Sequence, residues 1–445
     1  MAISELLSLL LLLLLLLSTS TADRCASPKL SVSSDLPLFH IYGKCSPFAS
    51  STPAPSSWFD TVHLKMAHED GARLSYLSSL VVKKKGATSV PVASGQQLMQ
   101  TANYVLRARL GTPAQTMYMV VDTSSDSAWV PCSGCTGCAG STIFSPSNST
   151  TYASMDCSAA QCASVQGQAC TSGPSPCTFG QSYGGDSFTA ALSQDSLTMA
   201  GDVIPTYSFG CLTSVTGGGF IPPQGLLGLG RGPLSLLSQT SPLYGGVFSY
   251  CLPSFKSYYF SGSLRLGPLG QPKLIRTTPL LRNPHRPSLY YVNLTSVSVG
   301  RVRVPVPASS FSFDPTTGAG TVVDSGTVIS RFVQPAYEAI RDEFRKQVGA
   351  GAYSSLGAYD TCFPTTAETA APTITLHLEG LDLALPMENT LIHSSATPIA
   401  CLAMAAAPNN VNAVLNVIAN LQQQNYRVLF DVTNSRVGFA REICG

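Results

Sequence analysis

Charged side chains are scarce in this 445-residue chain: Asp, Glu, Lys and Arg together make up only 11% of it. The 26 basic and 24 acidic residues nearly cancel, leaving a formal charge of +2. That balance lacks the clustered basic excess by which a nucleic-acid binder neutralises phosphates. It also argues against long salt-bridged helices, which need abundant surface charge. Histidine is sparse as well; the six present are scattered and read as surface or hydrogen-bonded core residues rather than ligands. The Gly-x-Ser-x-Gly, Gly-x4-Gly-Lys and His-Glu-x-x-His patterns are missing, and with them the common serine hydrolase, P-loop and zincin signals. Beyond the N-terminus no stretch offers 18 consecutive apolar residues, the length a membrane span requires.

What is abundant is turn chemistry and cysteine. The chain holds 37 Gly, 31 Pro and 14 Cys, with 44% hydrophobic residues. An unbroken leucine run from Leu9 to Leu17 is followed by Ser18-Thr19-Ser20-Thr21-Ala22. The run is short for a bilayer, and small residues after it suit cleavage, so residues 1–22 read as a secretory signal. Glu5 stands where a basic residue is usual. All the cysteines follow this segment, which points to disulfides formed in an oxidising compartment. The sequons Asn148-Ser149-Thr150 and Asn293-Leu294-Thr295 are candidate glycosylation sites in the same compartment.

Residues 23–95 form a region apart. Cys45 to Trp58 is Ser/Pro-rich, Lys83-Lys84-Lys85 precedes a Gly/Ser/Pro stretch, and a helical period around His63 to Leu80 is short of strong core residues. This region is expected to be a propeptide. From Tyr104 onward short strand-like runs recur, at Tyr104–Leu110, Met117–Val121, Val203–Phe209, Gly246–Cys251, Tyr290–Val299, Thr321–Val323, Thr373–Leu378 and Arg427–Val432. One amphipathic helix is expected from Pro335 to Val348, with Tyr337, Ile340, Phe344 and Val348 on one face. The pattern predicts a mainly antiparallel β fold with few helices.

Two segments share a plan. Met119-Val120-Val121-Asp122-Thr123-Ser124-Ser125 and Gly320-Thr321-Val322-Val323-Asp324-Ser325-Gly326-Thr327 are each an apolar strand ending in Asp, then hydroxyl and small residues. Asp followed by Ser or Gly is common in turns, so either alone is unremarkable. Two buried strands that each end in a carboxylate are costly unless the carboxylates meet and share a proton. Such a pair can activate water with one group and protonate a carbonyl oxygen with the other.

On these residues the chain resembles the pepsin-family (A1) aspartic proteases, within them the plant nepenthesin-type or nucellin-like branch, and most closely apoplastic aspartyl proteases linked to disease resistance. The resemblance covers nearly everything after about residue 100. It implies a mainly β, bilobal pepsin-like fold: two β-barrel-like lobes with an active-site cleft between them and a few short helices. The lobes would be residues 96–275, with a cysteine-rich insertion and a flap, and 276–445. Asp122 and Asp324 would be catalytic, Thr123, Ser125, Ser325, Gly326 and Thr327 would brace their loops, and Tyr183, Gly184 and Trp129 would form and support the flap. Gly225-Leu226-Leu227-Gly228-Leu229-Gly230 matches the element that passes behind the first Asp.

Cys132, Cys135 and Cys138, followed by Cys157, Cys162, Cys170 and Cys177, could in isolation be a zinc site. The secretory leader, the lack of clustered His and the resemblance favour disulfides. With Cys211, Cys251, Cys362, Cys401 and Cys444 they make twelve outside the propeptide, enough for six bridges. Spacing does not fix connectivity; the resemblance implies Cys362–Cys401 and Cys251–Cys444. Two departures stand out. Ser124 replaces the glycine of the first motif, and Ala419, in Val417-Ile418-Ala419-Asn420, replaces the glycine of the second apolar element. A side chain beside Asp122 is expected to crowd substrate or tilt the carboxylate, and a misplacement of about 1 Å can cost on the order of a hundredfold in rate.

The expected function is a secreted, monomeric acid endopeptidase of the apoplast or cell wall. It needs no metal or cofactor and has protein or peptide substrates with bulky apolar residues near the cut. Neither nucleic acid nor, after signal removal, membrane is an expected partner. The alternative is a catalytically weak or inactive pepsin-fold binding protein, such as a cell-wall glycanase inhibitor. A chloroplast nucleoid DNA-binding role, a label attached to related proteins, is disfavoured by the charge and the leader.

Overall fold

The computed structural model describes residues 35–40, Met66, Asp70, Arg73, Leu74 and 103–444, apart from 140–141, 171–174, 184, 220, 255–261, 366–370, 395–397 and 409–413. The signal segment, Cys25, Cys45, the Lys83 run and Gly184 lie outside the described residues. Strands dominate, and each expected run overlaps one or two of them, overrunning a strand end by no more than one residue. Tyr104–Leu110 and Gln115–Asp122 form a hairpin around Gly111, whose φ of 86° suits glycine. The run Tyr290–Val299 is split into Tyr291–Val292 and Leu294–Val299. The amphipathic helix runs Gln334–Val348 and ends at Gly349 with φ 65°. It buries Ala336, Tyr337, Ile340 and Phe344, whereas Val348 is half-buried.

Each half of the chain builds its own barrel-like lobe, and one extended sheet carries strands of both. Along its spine Gly262–Leu266 pairs with Val247–Cys251, which pairs with Tyr426–Asp431, which pairs with Arg436–Arg441. Phe248 and Phe430 stack across that spine with centroids 4.7 Å apart, and Tyr290 meets Phe430 edge-on at 4.5 Å. Apolar residues from both halves share this core. Such aromatic pairs add about 0.5–1.5 kcal/mol each beyond their buried area. The bridge Cys251–Cys444 ties the last residues back to the same spine.

A further strand comes from the region before Tyr104. Asp35–His40 lies between Gly262–Leu266 and Tyr104–Leu110, pairing Leu36 with Leu264 and Leu38 with Leu106. Leu38 is fully buried. Met66, Asp70, Arg73 and Leu74 are helical and all buried. Their spacing of four, seven and eight puts them on one helical face. The sequence pattern there looked poor in core residues because two of its four buried members are charged.

The cysteines pair as Cys132–Cys211, Cys135–Cys138, Cys157–Cys170, Cys162–Cys177, Cys251–Cys444 and Cys362–Cys401. The last two are the pairs that the resemblance implies. Cys157, Cys162 and Cys170 cluster closely enough to suggest metal ligands, but their sulfurs are already committed to disulfide bonds. Among the described residues no helix is long and apolar enough to cross a membrane.

Candidate active site

The site begins with strand pairing. Leu226–Gly228 runs parallel to Gln115–Asp122, setting Gly228 opposite Asp122. Leu415–Ile418 runs parallel to Gly320–Val323 in the same way, setting Ile418 opposite Val323. Each Asp is therefore delivered at the end of a fully flanked strand. The Asp122 carbonyl accepts from Leu229 N–H at 2.8 Å, and the Asp324 N–H donates to the Ile418 carbonyl at 3.1 Å. Asp122 and Asp324 are both essentially inaccessible, at 0% and 1% exposure.

The two loops hold each other. Thr123 N–H donates to Ser325 Oγ at 3.2 Å, and Ser325 N–H donates to Thr123 Oγ1 at 3.0 Å. Ser325 Oγ donates across to the Val121 carbonyl at 3.0 Å, and Thr123 Oγ1 reaches toward the Val323 carbonyl at 3.5 Å. This reciprocal clasp fixes the relative position of the carboxylates through backbone groups. Outer oxygens are held alike: Ser125 Oγ donates to Asp122 Oδ2 at 2.9 Å and Thr327 Oγ1 to Asp324 Oδ2 at 2.7 Å. Inner oxygens accept Ser124 N–H at 2.8 Å and Gly326 N–H at 3.0 Å. Burial, then the charge of Asp122, pushes the Asp324 carboxyl above its usual range, against the pull of Arg73 and the Thr327 and Gly326 hydrogen bonds. This is the proton-sharing condition for paired carboxylates.

Beside Ser124 the Asp122 carboxylate keeps its loop hydrogen bonds, so the tilt expected of a side chain there is not seen. The Ser124 N–H keeps the inner oxygen, and its Oγ adds a second hydrogen bond there at 2.7 Å. The other departure is accommodated too. Ala419 is fully buried among Leu74, Leu289, Tyr291, Val322 and Val417, so its methyl fills apolar space. Gly228, its counterpart, has no such room: a Cβ there would lie 2.5 Å from the carbonyl oxygens of Ser125 and Ser127.

Tyr183 ends the strand Thr178–Tyr183, which forms a hairpin with Asp186–Met199. Its ring meets Trp129 edge-on at 5.8 Å, and Trp129 also packs on Phe188 at 5.0 Å. Asp186 anchors the hairpin, accepting the N–H groups of Gly218 at 2.6 Å and Gly219 at 2.8 Å. Asn148 is exposed, whereas the Asn293 amide is half-buried and donates to Glu379 at 3.0 Å.

Several site residues escaped the sequence reading. Gln423 donates to the Asp324 carbonyl at 3.2 Å, and Asn420 to the Ser325 carbonyl at 3.0 Å. Asp126, four residues past Asp122, accepts from Ser288 Oγ and, at 2.7 Å, from Gly232 N–H; burial pushes its carboxyl up. The largest omission lies before Tyr104, at the helical residues Asp70 and Arg73. Arg73 Nη2 donates to Asp122 Oδ2 at 2.5 Å and to Ser124 Oγ, and its Nε lies 3.9 Å from Asp324 Oδ2. Its guanidinium carbon stands 4.8 Å from the centre of the Tyr183 ring. One turn earlier Asp70 accepts the N–H groups of Val328 and Ile329. Burial pushes the Asp70 carboxyl up to about 7, opposed by Arg331 and those two hydrogen bonds.

Paired, buried carboxylates presented by clasped loops from two similar halves, beneath a Tyr-tipped hairpin, define a pepsin-like aspartic protease. Family profiles agree on the architecture: the one described as Xylanase inhibitor N-terminal matches residues 104–268, and that described as Xylanase inhibitor C-terminal matches 289–441. Conglutin gamma, a basic 7S globulin from lupine seeds, has a crystal structure similar to this one at TM-score 0.61 and 19% identity, over 77% of this chain and 93% of its own. That likeness concerns the fold. Aspartyl protease AED3 of Arabidopsis thaliana is 61% identical over 431 residues, 96% of this chain and 95% of its own. Aspartyl protease 25 of Oryza sativa subsp. japonica is 58% identical over 399 residues, 86% of this chain and 90% of its own. The chain belongs to the plant aspartyl protease family; it is an aspartic-type endopeptidase with peptide or protein substrates.

Proposed function

We propose that this chain is the latent precursor of a secreted endopeptidase that works in acid, in the plant apoplast. Residues 1–22 would be the signal, 23–95 the removable leader, and 96–275 and 276–445 the two lobes. The observation that carries the reading is Arg73, a leader residue lying against both carboxylates. A guanidinium there neutralises the dyad and fills the space where a scissile carbonyl must sit. Acid that protonates both dyad carboxylates removes this attraction and frees the cleft, against the opposing preference of protonated Asp70 for the docked state.

With the leader displaced, one carboxylate takes a proton from water as its oxygen bonds to the peptide carbonyl carbon. The other gives its proton to the carbonyl oxygen. Collapse breaks the C–N bond, and the nitrogen leaves as an amine with a proton returned from the dyad. Tyr183 and its hairpin cover the cleft in this scheme. Exposed Asn148 is the better placed glycan acceptor of the two sequons.

The competing reading is a pepsin-fold binder of cell-wall glycanases, to which the wording of the family profiles lends weight. Purified protein incubated with denatured globin across pH 3 to 7, with and without pepstatin, separates the two. Pepstatin-sensitive cleavage in acid supports the protease. A folded, leader-free sample that cleaves nothing supports the binder, and glycanase inhibition would then be measured.

A further inference from the structure

Within the two loops themselves the half-sites match donor for donor except at one place. On both sides a backbone N–H serves the inner carboxylate oxygen and a hydroxyl serves the outer one. Among the described residues, Asp122 alone has a second close donor on its inner oxygen, the Ser124 hydroxyl at 2.7 Å. On the Asp324 side Gly326 has no side chain, and the nearest further donor is Thr123 Oγ1 at 3.4 Å, which also faces the Val323 carbonyl. The asymmetry has only one permitted sense. A Cβ on Gly326 would come within 2.7 Å of Asp122 Oδ1, so the second loop cannot carry the same serine without displacement.

The direction of the Ser124 hydrogen bond follows from its partners. Arg73 donates to Ser124 Oγ, and a guanidinium can only donate. The serine proton is therefore committed to Asp122, and with Arg73 gone the ionised carboxylate, which can only accept, keeps it there. A hydrogen bond given to a carboxylate stabilises its charged form.

We propose that Ser124 is a positioning residue of the dyad: its hydroxyl holds the negative charge on Asp122 and leaves the shared proton on Asp324. Asp122 is then the base toward water and Asp324 the acid toward the carbonyl oxygen. This rests on the protease reading above for its catalytic consequence but not for its proton placement. The burial of Asp324 against a charged Asp122 acts in the same sense. Among the described residues, the ionisable groups facing the dyad are Arg73 and Asp70, Asp126 beside Asp122, Tyr183 of the hairpin and Tyr250 beside Asp324. Arg73 is the one cation among them that touches a dyad carboxylate, so the test removes it.

The full chain carrying Arg73→Ala, labelled with 13C at the aspartate carboxyls, is titrated by NMR; Asp122→Asn and Asp324→Asn assign the dyad signals. Added Ser124→Gly or Ser124→Ala should raise the first deprotonation step by about one pH unit, and Ser124→Thr, which keeps a hydroxyl, should largely restore it. After acid activation the acid limb of the kcat/KM profile should move by the same amount. A step that stays in place in both Gly and Ala variants overturns the proposal, as does an equal shift in the Thr variant. A protein that cleaves nothing defeats the protease reading alone, because the carboxyl titration still decides where the proton resides.

Discussion

The two catalytic loops repeat one backbone design, yet they treat an added carbon atom in opposite ways. The first loop accepts a side chain at Ser124 but requires glycine behind it, at Gly228. The second requires glycine at Gly326 but accepts Ala419 behind it. The repeated part is what the reaction needs: two strand ends, a reciprocal Thr123/Ser325 clasp and matched donors on each carboxylate. The unmatched part is set by local space. A position reads as an obligatory glycine only where a neighbouring backbone or carboxylate oxygen occupies the Cβ site. The leader divides the halves as well, placing a cation on the Asp122 side and a carboxylate on the Val328–Ile329 side.

The sharpest test of equivalence is to remove one carboxylate. Asp324→Asn should lower cleavage by about a thousandfold or more, since an amide cannot exchange the shared proton. Its thermal transition should stay cooperative; full residual activity would sink the dyad mechanism. Next in size is Gly326→Ser, which copies the first loop onto the second. A Cβ 2.7 Å from Asp122 Oδ1 must displace the carboxylate, and a loss of roughly a hundredfold in kcat/KM is expected. An unimpaired Gly326→Ser enzyme would show the two loops to be interchangeable after all.

Removing the leader's cation acts on the Asp122 side. In Arg73→Ala the uncleaved chain should hydrolyse a peptide substrate roughly tenfold or more faster than the uncleaved parent, as the loss of a charge-assisted contact implies. Equal latency of the two would place the block elsewhere in the leader.

The smallest effect concerns the other side. Docking raises the Asp70 carboxyl from its ordinary 3.8 to about 7, so the docked form binds the proton more readily. Its contribution to docking is complete below about 4 and is lost as pH rises through 7. In an Asp324→Asn background, which cannot process itself, leader protection against an added protease should decline over that interval. Asp70→Asn should flatten the dependence; an unchanged decline would assign it to another group.

Much of this was legible in the chain itself, for reasons that can be named. Asp122 and Asp324 stand out because each ends an apolar run with small hydroxyl residues behind it, a local pattern. The strands and the helix Gln334–Val348 are equally local, set by alternation and by the 3.6-residue period. Gln423, Asn420 and Asp126 were missed because their partners lie far along the chain or their roles emerge only from burial. Arg73 and Asp70 were hidden more deeply. On a helical face shared with Met66 and Leu74 they look like solvated charges, and only the dyad and the Val328–Ile329 amides opposite them reverse that reading. The hydrogen bond from Ser124 to Asp122 was missed because a side chain was counted as bulk rather than as a donor.

If the region before residue 96 is removed as proposed, the strand Asp35–His40 carries a consequence for how the enzyme would be made. It is bonded along both edges, to Tyr104–Leu110 on one side and Gly262–Leu266 on the other. A cut between Leu74 and Asn103 would separate the polypeptides without undoing that ladder, so its immediate product would be two chains held by backbone hydrogen bonds. Taking the small chain away opens a slot one strand wide in the middle of the sheet. A gene that begins after the leader would ask the rest to fold around that slot from the outset, which makes the full-length chain the sensible starting material for an active preparation.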